Sequence, residues 1–443
     1  MLRTHHGVGF RRTAVRIAAA LGGVALLSAS LVACSTGATS GGKTSISFLA
    51  GGNDTTAVAL AKGLVDGFTK ENPNITVKVD TRPVGADGDN LIKTQLSTGS
   101  MDDVFFYNSG SLFQALNPYT TLQPLTDEAW VKDLSKDFKT TVSTPKGIYG
   151  APWGSTFDGG VLYNKKVYQQ LGLEVPDTWA DFISNSNKIK AAGIIPILQT
   201  YGDTWTSQLF VLADFANVNA ADSKWAANYT ANKAKYVDAP AFASFDHSAQ
   251  AHDLGLLNKD FASLTNVDAL KLLATGKAAQ YPMLSVVISN VVQNNPDNVN
   301  DIGYFAMPSD KGDSHATVWE ANGAYIPKST TGAKLDAAKK FVAFINSEAG
   351  CKVQDAAGTV AGPYAISTCK VPANAPALVA DVQKYQDAGK TSPALEFLSP
   401  VKGPNLEKIL VEVGSGITTA KDGAALYDND VKAQAQQLGL PGW

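Results

Sequence analysis

A strand–helix–strand pattern at residues 44–79 constrains the fold of this chain more than any other feature. Residues 44–48 read as a strand, and residues 57–70 carry apolar side chains at helical spacing. Residues 75–79 then alternate as a second strand does. A strand, a helix and a strand in this length form one βαβ unit, in which the two strands lie parallel. We therefore predict an α/β fold in which mainly parallel sheets are flanked by helices.

Polar residues follow two of the predicted strands. Asn53 and Asp54 lie in the loop after the first strand, and Tyr107-Asn108 ends the strand that begins at Asp103. Ligands in open α/β sheets bind beyond the carboxyl ends of the strands. We therefore expect these two loops to face one cleft.

The segment from Ile148 to Asn164 contains four glycines together with Trp153, Phe157 and Asp158. Glycine lets the backbone bend and approach other groups closely. An aromatic side chain flanked by glycine, serine and threonine is poorly placed to fill a core. Two interpretations stay open: a strand preceded by an irregular loop, or a hinge that also presents ring faces to a ligand.

The length and the net charge of the chain limit the functions that it can have. A chain of 443 residues favours two domains, and 44% hydrophobic with 17% charged residues allows a sizeable core. Residues 1–33 hold four arginines and no acid, which leaves 33 basic against 40 acidic residues, a net charge of −7. This balance argues against nucleic-acid binding and against capture by anionic lipid. His247, His252 and His315 lack a metal-ligand spacing, so we expect neither a metal nor a cofactor.

The amino-terminal region has the order of a bacterial lipoprotein signal. Arginines precede an apolar run from Ile17 to Ala33, and small residues lead to Cys34. We predict a signal peptide at 1–33, a lipidated Cys34 and a flexible tether at 34–43. The protein would then be exported and anchored to the outer face of the cytoplasmic membrane. The alternative is an ordinary signal peptide with an incidental cysteine, and the export route stays open.

Cys351 and Cys369 are the other two cysteines of the chain. In an exported protein they can form a disulfide bond, which constrains the unfolded chain. Two free thiols remain the alternative.

Eight different short motifs follow one another through nearly all of the chain after the tether. They are 68–77 (FTKENPNITV), 95–99 (QLSTG), 149–152 (YGAP), 162–165 (LYNK), 176–179 (PDTW), 276–279 (GKAA), 303–308 (GYFAMP) and 337–341 (AAKKF). In this order they resemble an extracellular solute-binding protein of an ATP-binding-cassette importer, in the carbohydrate-binding family that includes maltose-binding protein.

The resemblance implies two α/β lobes, three crossing segments and a ligand cleft between the lobes. We place the first lobe at 44–153 and 309–357 and the second at 158–303 and 362–443. The expected hinge crossings are 154–157, 304–308 and 358–361.

The same resemblance implies a sugar ligand, whose C–H faces are covered by aromatic rings and whose hydroxyls meet polar side chains. The expected contacts lie in loops near the cleft or in the crossings. They are Asn53, Asp54, Tyr107, Asn108, Trp153, Phe157, Asp158, Asp203, Trp205, Tyr281, Trp319, Glu320 and Asn322.

The resemblance thus implies a monomeric binding protein that closes its lobes over a mono- or small oligosaccharide and delivers it to a membrane permease. After Gly276-Lys277-Ala278-Ala279 the chain lacks the glycine and tryptophan found in many relatives, which puts a long malto-oligosaccharide in doubt. Two alternatives stay open: a secreted hydrolase that uses Asp158 and Glu320 as paired carboxylates, and a ligand-sensing lipoprotein.

Overall fold

The computed structural model describes residues 43–53, 55–357 and 360–443. The strands are β1 (Thr44–Leu49), β2 (Ile75–Asp80), β3 (Val104–Tyr107), β4 (Ser143–Thr144), β5 (Gly147–Ile148), β6 (Gly150–Trp153), β7 (Phe157–Asn164), β8 (Ile195–Ile197), β9 (Ala278–Leu284), β10 (Ile302–Phe305), β11 (Ala316–Trp319), β12 (Asn322–Tyr325) and β13 (Thr391–Pro393).

The α-helices are α1 (Thr55–Glu71), α2 (Gly85–Thr98), α3 (Ser111–Gln114), α4 (Pro118–Thr121), α5 (Lys136–Thr141), α6 (Lys165–Leu171), α7 (Trp179–Ala191), α8 (Leu209–Ala213), α9 (Phe215–Ala221), α10 (Trp225–Thr230), α11 (Phe242–Asp253), α12 (Asn266–Ala274), α13 (Ile288–Asn294), α14 (Gly332–Ile345), α15 (Glu348–Ala356), α16 (Ala377–Asp387), α17 (Leu395–Leu398), α18 (Leu406–Gly414) and α19 (Ala420–Gln437). Short 3-10 helices span Ala129–Asp133, Thr204–Gln208, Ser285–Val287 and Pro296–Asp301.

The first sheet has the strand order β2-β1-β3-β12-β6, and the elements around it form the first lobe. β1 pairs in parallel with β2 and β3, as the βαβ pattern predicts. Helix α1 covers this sheet because Leu60, Leu64 and Phe68 recur at helical spacing and are buried. The Phe68 ring meets that of Phe341 from α14 edge-on, with centroids 5.2 Å apart.

The second sheet has the order β13-β11-β7-β9-β8, with β10 also paired to β7, and the elements around it form the second lobe. Its central strand β7 pairs antiparallel with β9, β10 and β11. Val161 and Leu162 of β7 are fully buried because helices and neighbouring strands cover both faces. The predicted two-lobe α/β class is thereby confirmed.

Both sheets are mixed, which corrects the prediction that they are mainly parallel. The chain runs from β6 in the first sheet to β7 in the second, and it returns from β11 in the second to β12 in the first. These two connections lie side by side and run in opposite directions. β6 therefore pairs antiparallel with β12, and β7 antiparallel with β11.

The links between the sheets lie at 154–156 and 320–321. The first falls within the predicted crossing 154–157. The second corrects the predicted crossing 304–308, because β10 and β11 both pair with β7 in the second sheet. The sequence reasoning took the strand 304–307 for a return to the first lobe, but the return comes only after β11.

Residues 358–359 are not described by the structure, so the predicted crossing 358–361 is covered only in part. Ala361 packs in the core of the second lobe, and its N–H donates to Ser155 Oγ at 2.9 Å. Ala365, Ile366 and Cys369 pack in the core of the first lobe. The predicted second-lobe range 362–443 therefore begins too early.

The structure joins Cys351 at α15 to Cys369 by a disulfide bond, with the Cα atoms 5.4 Å apart. Both residues belong to the core of the first lobe. Closing a loop of this size stabilises a folded chain by ~3 kcal/mol in the loop-entropy view.

The signal peptide, Cys34 and most of the tether lie outside the described residues. Within the described part of the chain, none of the helices is both long and apolar enough to cross a membrane.

Candidate functional site

A cleft of about 580 Å³ lies between the two sheets and is lined by both lobes. Its walls carry aromatic side chains near the strand ends and many charged or amide side chains. The lining residues among these types are Arg82, Asp89, Asn90, Lys93, Phe106, Asn108, Trp153, Phe157, Trp205, Gln208, Asn266, Asn290, Trp319, Asn322, Glu396, Lys402, Asn405, Glu407, Lys408 and Gln434.

Trp319 and Phe157 form the aromatic wall of the second lobe. Their ring planes are within 4° of parallel, with centroids 6.2 Å apart. The indole of Trp319 lies over Gly159, where a Cβ atom would come within 2.6 Å of its Cζ3 atom. The strand can seat the ring there only because position 159 has no side chain. Both rings line the cleft as predicted from the sequence.

Trp153 contributes a ring from the first lobe, at the end of β6. It packs against Phe48 and Phe106, with centroid distances of 5.4 and 5.5 Å, and 9% of its surface is exposed. Trp205, Asn108 and Asn322 also line the cleft. Six of the predicted contacts are therefore brought together around one cavity: Asn108, Trp153, Phe157, Trp205, Trp319 and Asn322.

Asp158 does not line the cleft, contrary to the prediction. Successive side chains of a strand point to opposite faces, so Asp158 lies on the other side of β7 from Phe157. It is fully buried, its N–H donates to Ser285 Oγ at 2.9 Å, and burial raises the pKa of its carboxyl to about 8. A sequence segment rich in aromatics and glycines does not reveal which neighbour faces the ligand.

Tyr107, Glu320 and Asn53 also lie off the cleft wall. Tyr107 is fully buried, with the guanidinium carbon of Arg82 6.0 Å from its ring centroid. Glu320 lies in the second link between the sheets, where burial, reinforced by the charge of Asp137, raises its pKa to about 7. Asn53 is exposed, and the predicted contact Asp54 lies outside the described residues.

Asp203 and Tyr281 support a cleft residue instead of lining the cleft themselves. Asp203 Oδ2 accepts from the backbone N–H of Asn266 at 2.7 Å. The hydroxyl of Tyr281, which is fully buried, donates to Asn266 Oδ1 at 3.1 Å. Asn266 itself lines the cleft.

The sequence reasoning missed the charged residues of the cleft. Arg82 and Asp89 line it from the first lobe, and Lys402 and Glu407 line it from the second. Burial raises the pKa of Asp89, while the positive charge of Arg82 opposes that shift. Arg82 lies two residues after the end of β2, so the strand-end rule that selected Asn108 could have found it. The other three lie within helices or remote loops and carry no such signal.

Direct hydrogen bonds join the lobes across the cleft. The N–H of Ala86, in the first turn of α2, donates to Glu407 Oε1 of α18 at 3.4 Å. Thr204 Oγ1, which belongs to the second lobe as Glu407 does, donates to the same oxygen at 3.2 Å and holds the Glu407 carboxylate in place. On the other side, Thr56 Oγ1 donates to Asn290 Oδ1 at 2.8 Å. Two hydrogen bonds between residues that line the cleft therefore connect the lobes directly.

The cleft combines ring faces with hydroxyl-binding groups, which suits a neutral ligand with both C–H patches and hydroxyls. In the part of the chain that the structure describes, no three His, Cys, Asp or Glu side chains are grouped to hold a metal ion.

Comparison with known proteins decides the family. Residues 52–350 match the family of bacterial extracellular solute-binding proteins. The chain belongs to this family. The match covers most of both lobes, including both links between the sheets.

Individual relatives of this solute-binding protein are named for sugars. The multiple sugar-binding protein of Streptococcus mutans is 27% identical over 324 residues, which cover 72% of this chain and 74% of that protein. The melibiose/raffinose/stachyose-binding protein of Bacillus subtilis is 23% identical over 304 residues, 65% of this chain and 67% of that one. The solved structure of a chitin oligosaccharide binding protein shares the fold, with a TM-score of 0.76, 22% identity and coverage of 89% of this chain and 99% of the other.

Proposed function

We propose that this protein captures a mono- or small oligosaccharide and delivers it to the permease of an ATP-binding-cassette importer. The observation that carries the proposal is the cleft between the lobes, where Trp153, Phe157 and Trp319 meet charged and amide side chains of both lobes. The family assignment and the sugar-binding relatives support the same ligand class.

Lobe closure is the proposed mechanism. An open protein binds the sugar on one lobe, and rotation at 154–156 and 320–321 brings the second lobe over it. A ligand favours the closed state only through contacts that it makes better there. Sugar hydroxyls that reach Asp89 of one lobe and Glu407 of the other supply such contacts, since both residues line the cleft.

The proposal extends to the setting of the protein. We propose an exported monomer that is anchored through a lipidated Cys34 and presents its closed, sugar-bound form to the membrane permease. It needs neither a cofactor nor nucleic acid for this role. Mass spectrometry of the membrane fraction tests the anchor, because a Cys34→Ala variant would lack the acyl mass and leave the membrane.

A thermal-shift panel of neutral sugars, uronic acids, amino acids and peptides tests the ligand class. Binding adds about 2.7 kcal/mol of stability at a hundredfold ligand excess over Kd. If no sugar raises Tm while a peptide or an amino acid does, the sugar proposal is wrong. Release of product from a polysaccharide would instead indicate a hydrolase.

Two tryptophan variants test the site. Trp153→Ala and Trp319→Ala are expected to weaken sugar binding because each removes a ring from the cleft wall. Trp225→Ala is the matched control: this ring is also buried, at 2% exposure in the second lobe, but it does not line the cleft. Unchanged sugar affinity in both cleft variants would show that neither Trp153 nor Trp319 contacts the sugar.

A further inference from the structure

Arg82 and Asp89 carry opposite charges on one wall of the cleft without forming an ion pair. Both line the cleft from the first lobe, Arg82 in the loop after β2 and Asp89 in the second turn of α2. Among the described residues, no ion pair within 4.0 Å involves either side chain. The Tyr107 hydroxyl lies near enough to Asp89 to lower the pKa of its carboxyl, yet it has no hydrogen-bond partner in the described chain. The wall thus presents a donor and an acceptor side by side.

The surroundings of Arg82 fix its guanidinium in a position where it does not pair with Asp89. Arg82 is only 5% exposed, and its Nη1 donates to the carbonyl oxygen of Pro83 at 3.0 Å. Its guanidinium carbon lies 6.0 Å from the ring centroid of Tyr107. Gly88 leaves room for it, because a Cβ atom there would lie 2.4 Å from Arg82 Nη1 and 2.1 Å from the Pro83 oxygen. Nη2 donates to no described residue and is not sealed from the cleft, whereas Nε is buried.

We infer that Arg82 and Asp89 together bind two adjacent hydroxyls of the sugar, one accepting from Arg82 Nη2 and the other donating to the Asp89 carboxylate. This inference rests on the proposed sugar-binding function. Half-buried charges without partners are costly, and a ligand that bonds to both removes that cost on binding.

The same pair of side chains determines which ligand groups are accepted. A hydroxyl both donates and accepts, whereas an ether oxygen only accepts and an ammonium group only donates. A carboxylate would accept from Arg82 but would be repelled by Asp89. This part of the cleft therefore selects a neutral sugar with two free neighbouring hydroxyls.

The test is isothermal titration with raffinose or, if raffinose does not bind, with the panel sugar that raises Tm most. Asp89→Asn keeps the shape of the side chain and removes the charged acceptor. Arg82→Lys keeps the charge but lacks the planar fork that carries Nη2. We expect each variant to weaken binding by about 10- to 100-fold. Wild-type affinity in Asp89→Asn would overturn the inference.

The stability of the free protein distinguishes ligand binding from a structural role. Burial raises the pKa of Asp89, which means that the folded protein disfavours the charged carboxylate. Asp89→Asn is therefore expected to keep or raise Tm at pH 7 while it loses affinity. Asp102→Asn is the matched control, because burial also raises the pKa of this half-buried carboxyl of the first lobe, but Asp102 does not line the cleft. Its sugar affinity is expected to equal that of the wild type. An Asp89→Asn protein that loses Tm and affinity together would assign Asp89 a structural role.

Monodeoxy derivatives of the same sugar identify the hydroxyl that Asp89 contacts. Removing that hydroxyl is expected to weaken binding to the wild type by about 10- to 100-fold, but to weaken binding to Asp89→Asn much less, because the hydrogen bond is already lost. If every derivative loses affinity by the same factor on both proteins, Asp89 does not bind a hydroxyl and the inference is wrong. Failure of the wild-type protein to bind any sugar would instead overturn the proposed function, and this inference with it.

Discussion

The substitution Gly159→Ala tests the aromatic wall without changing any ring. The new methyl group would lie 2.6 Å from Trp319 Cζ3 and 3.1 Å from Trp319 Cη2. Carbon atoms prefer separations of about 3.5–4.0 Å, so the indole has to retreat by about 1 Å. On the other side, the Cβ atom of Ala213 at 3.1 Å prevents the methyl group from moving away.

The expected cost in unfolding free energy is about 1–3 kcal/mol, the usual range for overpacking a dense region. The displaced ring also loses its alignment with Phe157, so sugar affinity is expected to fall. Urea denaturation of the free protein measures the first effect, and isothermal titration measures the second.

A second-site change provides the control for this prediction. Trp319→Phe removes the far edge of the indole, which is the part that the new methyl group meets. Gly159→Ala is therefore expected to destabilise the Trp319→Phe background much less than the wild type. If Gly159→Ala matches the wild type in both stability and affinity, Trp319 does not depend on Gly159 for its place in the cleft.

Three further predictions concern a buried carboxyl, the disulfide and the closed state. The raised pKa of Asp158 keeps its carboxyl protonated in the folded state, so its contribution to stability is complete below pH 4 and is lost as pH rises to about 8. The Tm of Asp158→Asn minus that of the wild type is therefore expected to increase from pH 5 to pH 9. A Tm difference that stays constant over this range would contradict the raised pKa of Asp158. Replacing Cys351 and Cys369 together by serine is expected to lower the free energy of unfolding by ~3 kcal/mol relative to the oxidised wild type in urea denaturation, and the reduced wild type, as control, is expected to lose a similar amount. Glu407→Ala removes the acceptor of Ala86 across the cleft, so we expect several sugars to lose affinity by a similar factor. A loss of affinity for one sugar alone would mean that Glu407 acts as a contact for that sugar and not by holding the two lobes together.

The two-lobe fold could be predicted from the sequence, but the strand pairing and the positions of the links between the lobes could not. The apolar spacing of Leu60, Leu64 and Phe68 predicts a helix from local sequence alone. The order of the short motifs along the chain indicates the fold of the family. The pairing of β7 with β11 joins residues far apart in the chain, and no local pattern records it. The position of the second link, 320–321, depends on that pairing and was therefore misplaced.

Candidate contacts were predictable by residue type and loop position, but not by side-chain direction. Trp319 and Phe157 reach the cleft, while Asp158 next to Phe157 points into the core. Asp203 and Tyr281 belong to the site as supports of Asn266, a role that depends on three-dimensional contacts. Charged helix residues such as Glu407 line the cleft because the fold places their helices at its edge, which no local sequence pattern records.

The disulfide bond has a consequence for the integrity of the chain. Cys351 and Cys369 are 18 positions apart, and the segment between them reaches the second lobe at Ala361. One peptide-bond cleavage inside this covalent ring leaves both fragments attached to each other. Under oxidising conditions, a protein nicked there would keep its full mass and both lobes, and it would separate into two pieces only after reduction.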